Sequence, residues 1–263
     1  MRPIRCGIAA VCLALSVGLP PAYATSFSTD QSDLWYIPSE SGWGIQLVER
    51  GSLIFITMFV YDPSGKPIWY VGTLNATETP FVWTGDIYVT NGPWFGAQPY
   101  NPALFGGRVV GSMTWNAPFV TSGTLTYTVD GISVTKNIIR QTLVNDDFNG
   151  TFVGAAHETV SCAGVADVTT ENFAGLGVVQ NGTQVSLASV ALDGNTCTYS
   201  GQLGQDGQFG SMNGTYSCVP SGQVGNFHMF EMNVGVNSLT ARYTANSSFG
   251  CQITGYLGGM RHR

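Results

Sequence analysis

Apolar and polar positions alternate with a period of two along most of this chain, the spacing of half-buried β-strands. The clearest case spans residues 124–135. Leu125, Tyr127 and Val129 alternate with Thr124, Thr126 and Thr128, Asp130-Gly131 follows, and Ile132 and Val134 then alternate with Ser133 and Thr135. A two-residue type I′ turn at Asp130-Gly131 sets Val129 against Ile132 and Tyr127 against Val134, so that all four share one face of a hairpin. The rhythm recurs at Trp83, Ile87 and Val89 before Asn91-Gly92, and at Val109, Met113 and Trp115. It appears again at Val185 and Leu187 after Asn181-Gly182, and at Phe230, Met232, Val234 and Val236. No segment carries a capped helical period. The spacing predicts about eight strands in each half of the chain. The fold class is therefore all-β, with two consecutive antiparallel small barrels or sandwiches. Polar Asn145-Asp146-Asp147 marks the junction and gives domains at 26–144 and 145–263. No long linker separates them, so the halves are expected to pack together.

The segment 40–70 is the most distinctive. Glu40-Ser41-Gly42-Trp43-Gly44 opens a strand with Trp43, Ile45 and Leu47 on one face, and Arg50-Gly51 turns it back into residues 53–61. That run is apolar on both faces except at Thr57, which predicts a central strand covered on both sides. A strand facing the other half or a second chain is the other reading. In Asp62-Pro63-Ser64-Gly65, Pro63 suits the second position of a type I turn and Gly65 the left-handed position after it. The chain then returns through Pro67, Trp69 and Tyr70. The pattern Glu-Ser-Gly-Trp-Gly at 40–44, followed by Tyr-Asp-x-x-Gly-x-Pro-x-Trp-Tyr at 61–70, resembles a motif of an exported bacterial β-rich family. The resemblance implies an exported β fold and brings no catalytic or binding residue with it. The rear half is loosely similar to small calycin-like barrels through its cysteine and glycine spacing.

All six tryptophans lie between Trp35 and Trp115. Trp43, Trp69 and Trp83 each sit in an alternating apolar row and read as core. Trp94, Phe95 and Tyr100 instead occupy a stretch rich in glycine and proline, from 91 to 102, that reads as a loop. Loop aromatics on a rigid β scaffold are the ligand-binding candidates, as a stacking platform for sugar or aromatic rings; a loop folded over its own apolar plug is the competing reading.

The first residues read as a leader rather than as structure. Arg2 and Arg5 precede a short apolar run, and Ala22-Tyr23-Ala24 gives a small-x-small cleavage site, so 1–24 is expected to be a signal peptide. Cys12 sits inside the apolar run with no small-residue box before it, which favours plain secretion over a lipid anchor. No transmembrane segment is expected after leader removal. The outer-membrane barrel reading lacks continuous lipid-facing rows with aromatic girdles. Export to the periplasm or the extracellular space favours cysteine pairing. Four cysteines follow the leader and allow three connectivities. The preferred one joins Cys162 to Cys251, the first to the last strand of the rear half, and Cys197 to Cys218 across a hairpin. A two-residue Asp206-Gly207 loop would set Cys197 opposite Tyr216 instead, so a bulge or longer loop has to close that gap.

Sixteen acidic residues against ten basic ones, with no basic stripe, argue against nucleic-acid binding. His157-Glu158 lacks the second histidine of a zinc-binding helix, and His228 reads as a hydrogen-bonded histidine at a barrel rim, in step with Phe230 and Met232. Asp146-Asp147 reads as a solvated linker ahead of a calcium site. No serine-nucleophile elbow or phosphate-cradling loop occurs, and no cofactor or metal is implied. Glu40, Glu49 and Asp86 are the acids a glycosidase would draw on, which needs two across a cleft. The leading expectation is an exported, non-enzymatic protein that binds a small apolar or carbohydrate ligand or an envelope partner. A glycan hydrolase and a structural component assembling through residues 53–61 are the alternatives.

Overall fold

The computed structural model describes residues 30–262; the leader read at 1–24 lies outside them. The first eight strands are β1 (Asp33–Tyr36), β2 (Gly44–Arg50), β3 (Leu53–Tyr61), β4 (Pro67–Ala76), β5 (Val82–Asn91), β6 (Gly106–Asn116), β7 (Ser122–Val129) and β8 (Ile132–Arg140). Each pairs with its neighbour antiparallel, and β1 pairs with β8 through Trp35↔Arg140 and Tyr36↔Ile139 to close a barrel. The next eight repeat the plan: β9 (Gly150–Cys162), β10 (Val168–Asn181), β11 (Gln184–Ala191), β12 (Thr196–Asp206), β13 (Phe209–Val219), β14 (Val224–Val234), β15 (Ser238–Ser247) and β16 (Cys251–Arg261). Here β9 pairs with β16 along its length, and the second barrel closes too. The second barrel is paired along its whole seam, whereas β1 and β8 share two residue pairs and leave residues 132–138 of β8 without a partner on that side.

Each barrel has its own apolar interior, built from the inward positions of every strand. In β3 the inward residues are Ile54, Ile56 and Met58. Burying one such side chain contributes about 1.5–3 kcal/mol. Leu53, Phe55 and Phe59 point to solvent, and Tyr61 lies partly exposed at the strand end, so β3 is not covered on both sides. A barrel wall has one inner face only, and the doubly apolar run is one core row beside one exposed row. Trp69 pairs with Phe59 across β3 and β4 and joins that outer row, 54% exposed, contrary to the core position read from the sequence. Trp83 is core as expected, and Trp43 stands half-buried at a barrel end.

Two β-bulges overturn strand parity. Ile87 pairs with Gly111 but Tyr88 pairs with Val109, which leaves Val110 as the extra residue. Val110 therefore turns inward beside Met113 and Trp115, and Val109 turns out. In β14 the pairing slips between Phe230 and Asn233. Met232 is buried inside, whereas His228 and Phe230 face outward with their rings 5.2 Å apart. An extra residue on one strand reverses the facing of everything beyond it.

The β7–β8 hairpin has the expected register, with Val129↔Ile132 and Tyr127↔Val134, and positive φ at both Asp130 and Gly131. Cys162–Cys251 and Cys197–Cys218 are both bonded. The second pairing needs neither a bulge nor a long loop. The hairpin turns on Gly207-Gln208, one residue later than Asp206-Gly207, with Asp206 opposite Phe209 and Cys197 directly opposite Cys218. Only Gly207 of the two has positive φ, as in a type II′ turn.

Antiparallel meanders sort the connections by end. The β1–β2, β3–β4, β5–β6 and β7–β8 connections gather at the far end of the first barrel. Its near end carries both chain termini of the barrel and meets the β12–β13 hairpin of the second. There Gln208 N–H donates to Asp33 Oδ2 at 3.1 Å, Gln208 Nε2 to the Ser32 carbonyl at 2.7 Å, and Gly207 N–H to Thr142 Oγ1 at 2.9 Å. Arg140 is the centre of this junction. Its guanidinium is buried, donates to the carbonyls of Asp30, Ser32 and Val120 and to Asp33, and stacks on Trp35 and on Phe209 of the second barrel.

Candidate functional site

The far end of the first barrel is open. Its cavity, of about 500 Å³, is walled by Trp43, Tyr61, Tyr70 and Tyr127 with aliphatic side chains such as Val60 and Val129 between them. These side chains come from β3, β4, β7 and β8 and from the β1–β2 and β3–β4 connections. The 40–44 and 61–70 motif segments, far apart in extended chain, thus converge on one rim.

Local chemistry explains the motif. Gly42 has φ +107°, a backbone that L side chains rarely adopt. A Cβ on Gly44 would meet the Trp35 carbonyl at 2.9 Å. Both glycines let the β1–β2 connection fold tightly enough to set Trp43 over the opening. Asp62 is occupied by its own turn: Oδ1 accepts from Ser64 N–H at 2.8 Å, the Ser64 hydroxyl at 2.7 Å and Lys66 N–H at 3.0 Å. Those donors, the Ser64 hydroxyl first, hold its carboxyl below the usual range.

One charged cluster stands in the cavity wall. Lys136 Nζ donates to both Glu40 oxygens at 2.8 Å, the Trp43 indole N–H donates to Glu40 Oε2 at 3.0 Å, and the ammonium lies 5.9 Å from the Trp43 ring centre. The Lys136 hydrogen bonds, then that from Trp43, hold the Glu40 carboxyl below its ordinary value. Burial pushes the Tyr127 phenol up. The arrangement is an apolar and aromatic cup with a fixed ion pair at one side. It can stack a ring, and it can offer a carboxylate and an ammonium to polar groups on that ring's edge.

The residues singled out from the sequence fall elsewhere. Trp94, Phe95 and Tyr100 lie exposed on the β5–β6 connection, at the same end of the barrel but outside the cavity wall. The Trp94 and Phe95 rings meet at 5.7 Å. Of the three acids, Glu40 is at the mouth, Glu49 at the near end and Asp86 on the outer face of β5, so no two of them share a cleft. His157 stacks on Tyr256 on the outside of the second barrel, with Nδ1 3.3 Å from Glu171. Among the described residues, no cluster of three or more His, Cys, Asp or Glu could hold a metal. Asp146 accepts from the Gln205 amide at 3.0 Å, and Asp147 caps Asn149. No helix among the described residues is long and apolar enough to cross a membrane.

Sequence reasoning brought none of Trp43, Tyr61, Tyr70, Tyr127 and Lys136 to a cavity, and reads Trp43 as core. The signal was present: the inward row of β8 reads Ile132, Val134, Lys136, Ile138, Arg140, with a cation at two core positions. Comparison with known protein families and with curated proteins returns no match.

Proposed function

We propose that this protein is an exported, non-enzymatic binding module that takes a small ring-bearing molecule into the open mouth of its first barrel. The observation that carries the reading is the convergence of Trp43, Tyr61, Tyr70 and Tyr127 around a cavity of about 500 Å³, within the size range of small-molecule sites. The walls are mainly aromatic and aliphatic, which favours an apolar ring, with the Glu40–Lys136 pair fixing the orientation of one polar substituent. A sugar ring would use the same stacking face and the same pair. Two disulfides suit an oxidising compartment, the periplasm or the extracellular space.

Calorimetric titration with indole, phenol, glucose and cellobiose separates the apolar from the carbohydrate arm. For whichever probe binds, Trp43→Ala should weaken affinity by roughly tenfold or more, the effect of losing an aromatic contact of about 1.4 kcal/mol. Trp94→Ala should leave it unchanged. The reverse pattern would move the site to the β5–β6 loop and overturn the proposal.

A further inference from the structure

A second cavity, of about 610 Å³, lies where the two barrels meet. The first barrel supplies Phe81 and the 118–121 segment; the second supplies residues of β12, β13, β14 and β15. Its floor is unusual. Among the described residues, three non-glycine positions have positive φ: Asp130, which serves the β7–β8 turn, and Phe81 and Glu231, at +63° and +51°. Phe81 and Glu231 both line this cleft. Left-handed backbone at such residues is strained and persists where the surroundings impose it, often beside functional sites. At Glu231 the β14 bulge imposes it.

The bulge places Glu231 in the cleft wall. The Glu231 side chain is 5% exposed, and Oε1 stands 3.6 Å from Arg242 Nη1. Oε2 is buried and has no hydrogen-bond partner. Burial raises the acid's pKa, and Arg242 opposes that shift. A buried acceptor without a donor is expensive to maintain. Arg242 serves only the Oε1 side of the carboxylate and also lies over the Phe230 ring, 5.3 Å from its centre. Asp206 adds a second acid to the lining, beside Arg242 and His228. Phe119, which is 67% exposed, and Phe230 present aromatic surface. An acidic acceptor among aromatic faces is the chemistry that holds an organic cation.

We propose that the cleft between the barrels binds a small organic ammonium ion, whose nitrogen pairs with the Glu231 carboxylate and whose apolar body lies against Phe119 and Phe230. This site is separate from the barrel mouth, at the opposite end of the first barrel, and does not depend on it.

The test is calorimetric titration of the full chain with benzylamine, with benzyl alcohol and benzoate as matched neutral and anionic probes. Amide chemical-shift mapping locates the bound amine. Benzylamine should bind at least about tenfold more tightly than either control, with shifts centred on β14 and the 118–121 segment. Glu231→Gln should erase that preference. Phe119→Ala, at an exposed position where folding is not at stake, should weaken the amine several-fold and keeps the test intact if the Glu231 variant does not fold. Equal binding of amine and alcohol, shifts confined to the barrel mouth, or no amine binding below about 10 mM would each overturn the proposal.

Discussion

Charged side chains on core-facing positions decide most of what is particular about this molecule. Lys136 and Arg140 both sit on the inward row of β8, and Glu158 on that of β9, where the Tyr243 hydroxyl donates to it. Desolvating a charge is costly unless it is paired. Lys136 meets Glu40, and Arg140 meets Asp33 and three carbonyls. Glu49, at the near end, is less well served. Gln31 N–H donates to its Oε2 at 2.6 Å, but burial pushes its pKa from 4.5 up to about 7. The folded protein thus holds the Glu49 proton more tightly than the unfolded chain does. Stability from this group is complete below about pH 4.5, declines as pH rises and is lost above about 7. Replacing Glu49 with Gln keeps an acceptor for Gln31 and removes the titration. Melting curves between pH 4.5 and 8 should show the wild type losing ground to Glu49→Gln as pH rises; parallel curves would refute the assignment.

At the scale of elements, legibility depended on whether one residue opposes one. The β7–β8 hairpin was readable because Asp130-Gly131 fixes the turn and the Thr rows fix the faces. Parity failed at Val110 and Glu231, where an extra residue reverses the strand, and nothing local announces a bulge. The Cys197–Cys218 pair is legible in the sequence, yet its turn lies one residue later than the Asp206-Gly207 signal; Gly207 belongs at the first loop position, where its φ is +60°. The convergence of segments 40–44 and 61–70 with Tyr127 could not be read from either alone, because it needs closure of the barrel. The disulfides act at this scale as well. Cys162–Cys251 joins the strands that close the second barrel across a separation of 89 residues, and Cys197–Cys218 spans 21 within one hairpin. Chain entropy then assigns about 4–5 kcal/mol to the first and about 3 to the second. Urea unfolding of the two double Cys→Ala variants should show the larger loss for Cys162/Cys251, and an inverted order would contradict this.

For the whole molecule, two closed barrels with separate interiors are made one body at a junction whose centre is Arg140. Its guanidinium lies between Trp35 and Phe209, with ring centres 4.4 and 4.9 Å away. Arg140→Met would leave Asp33 and the Asp30, Ser32 and Val120 carbonyls without that donor, at about 3–5 kcal/mol. All six tryptophans belong to the first half, so their fluorescence during urea unfolding reports this loss directly; a change under about 1 kcal/mol would show that the junction is not stabilising. The same architecture leaves one barrel end open and plugs the other, and it is the open end that carries the functional reading. Indole N–H resonances of the tryptophans, followed in a ¹⁵N-labelled sample while ring-bearing fragments are titrated, test that reading most directly. Trp43, whose indole N–H is bonded to Glu40, should shift and saturate, while Trp35 and Trp115 at the plugged end stay fixed. A titration in which Trp94 responds and Trp43 does not would contradict it.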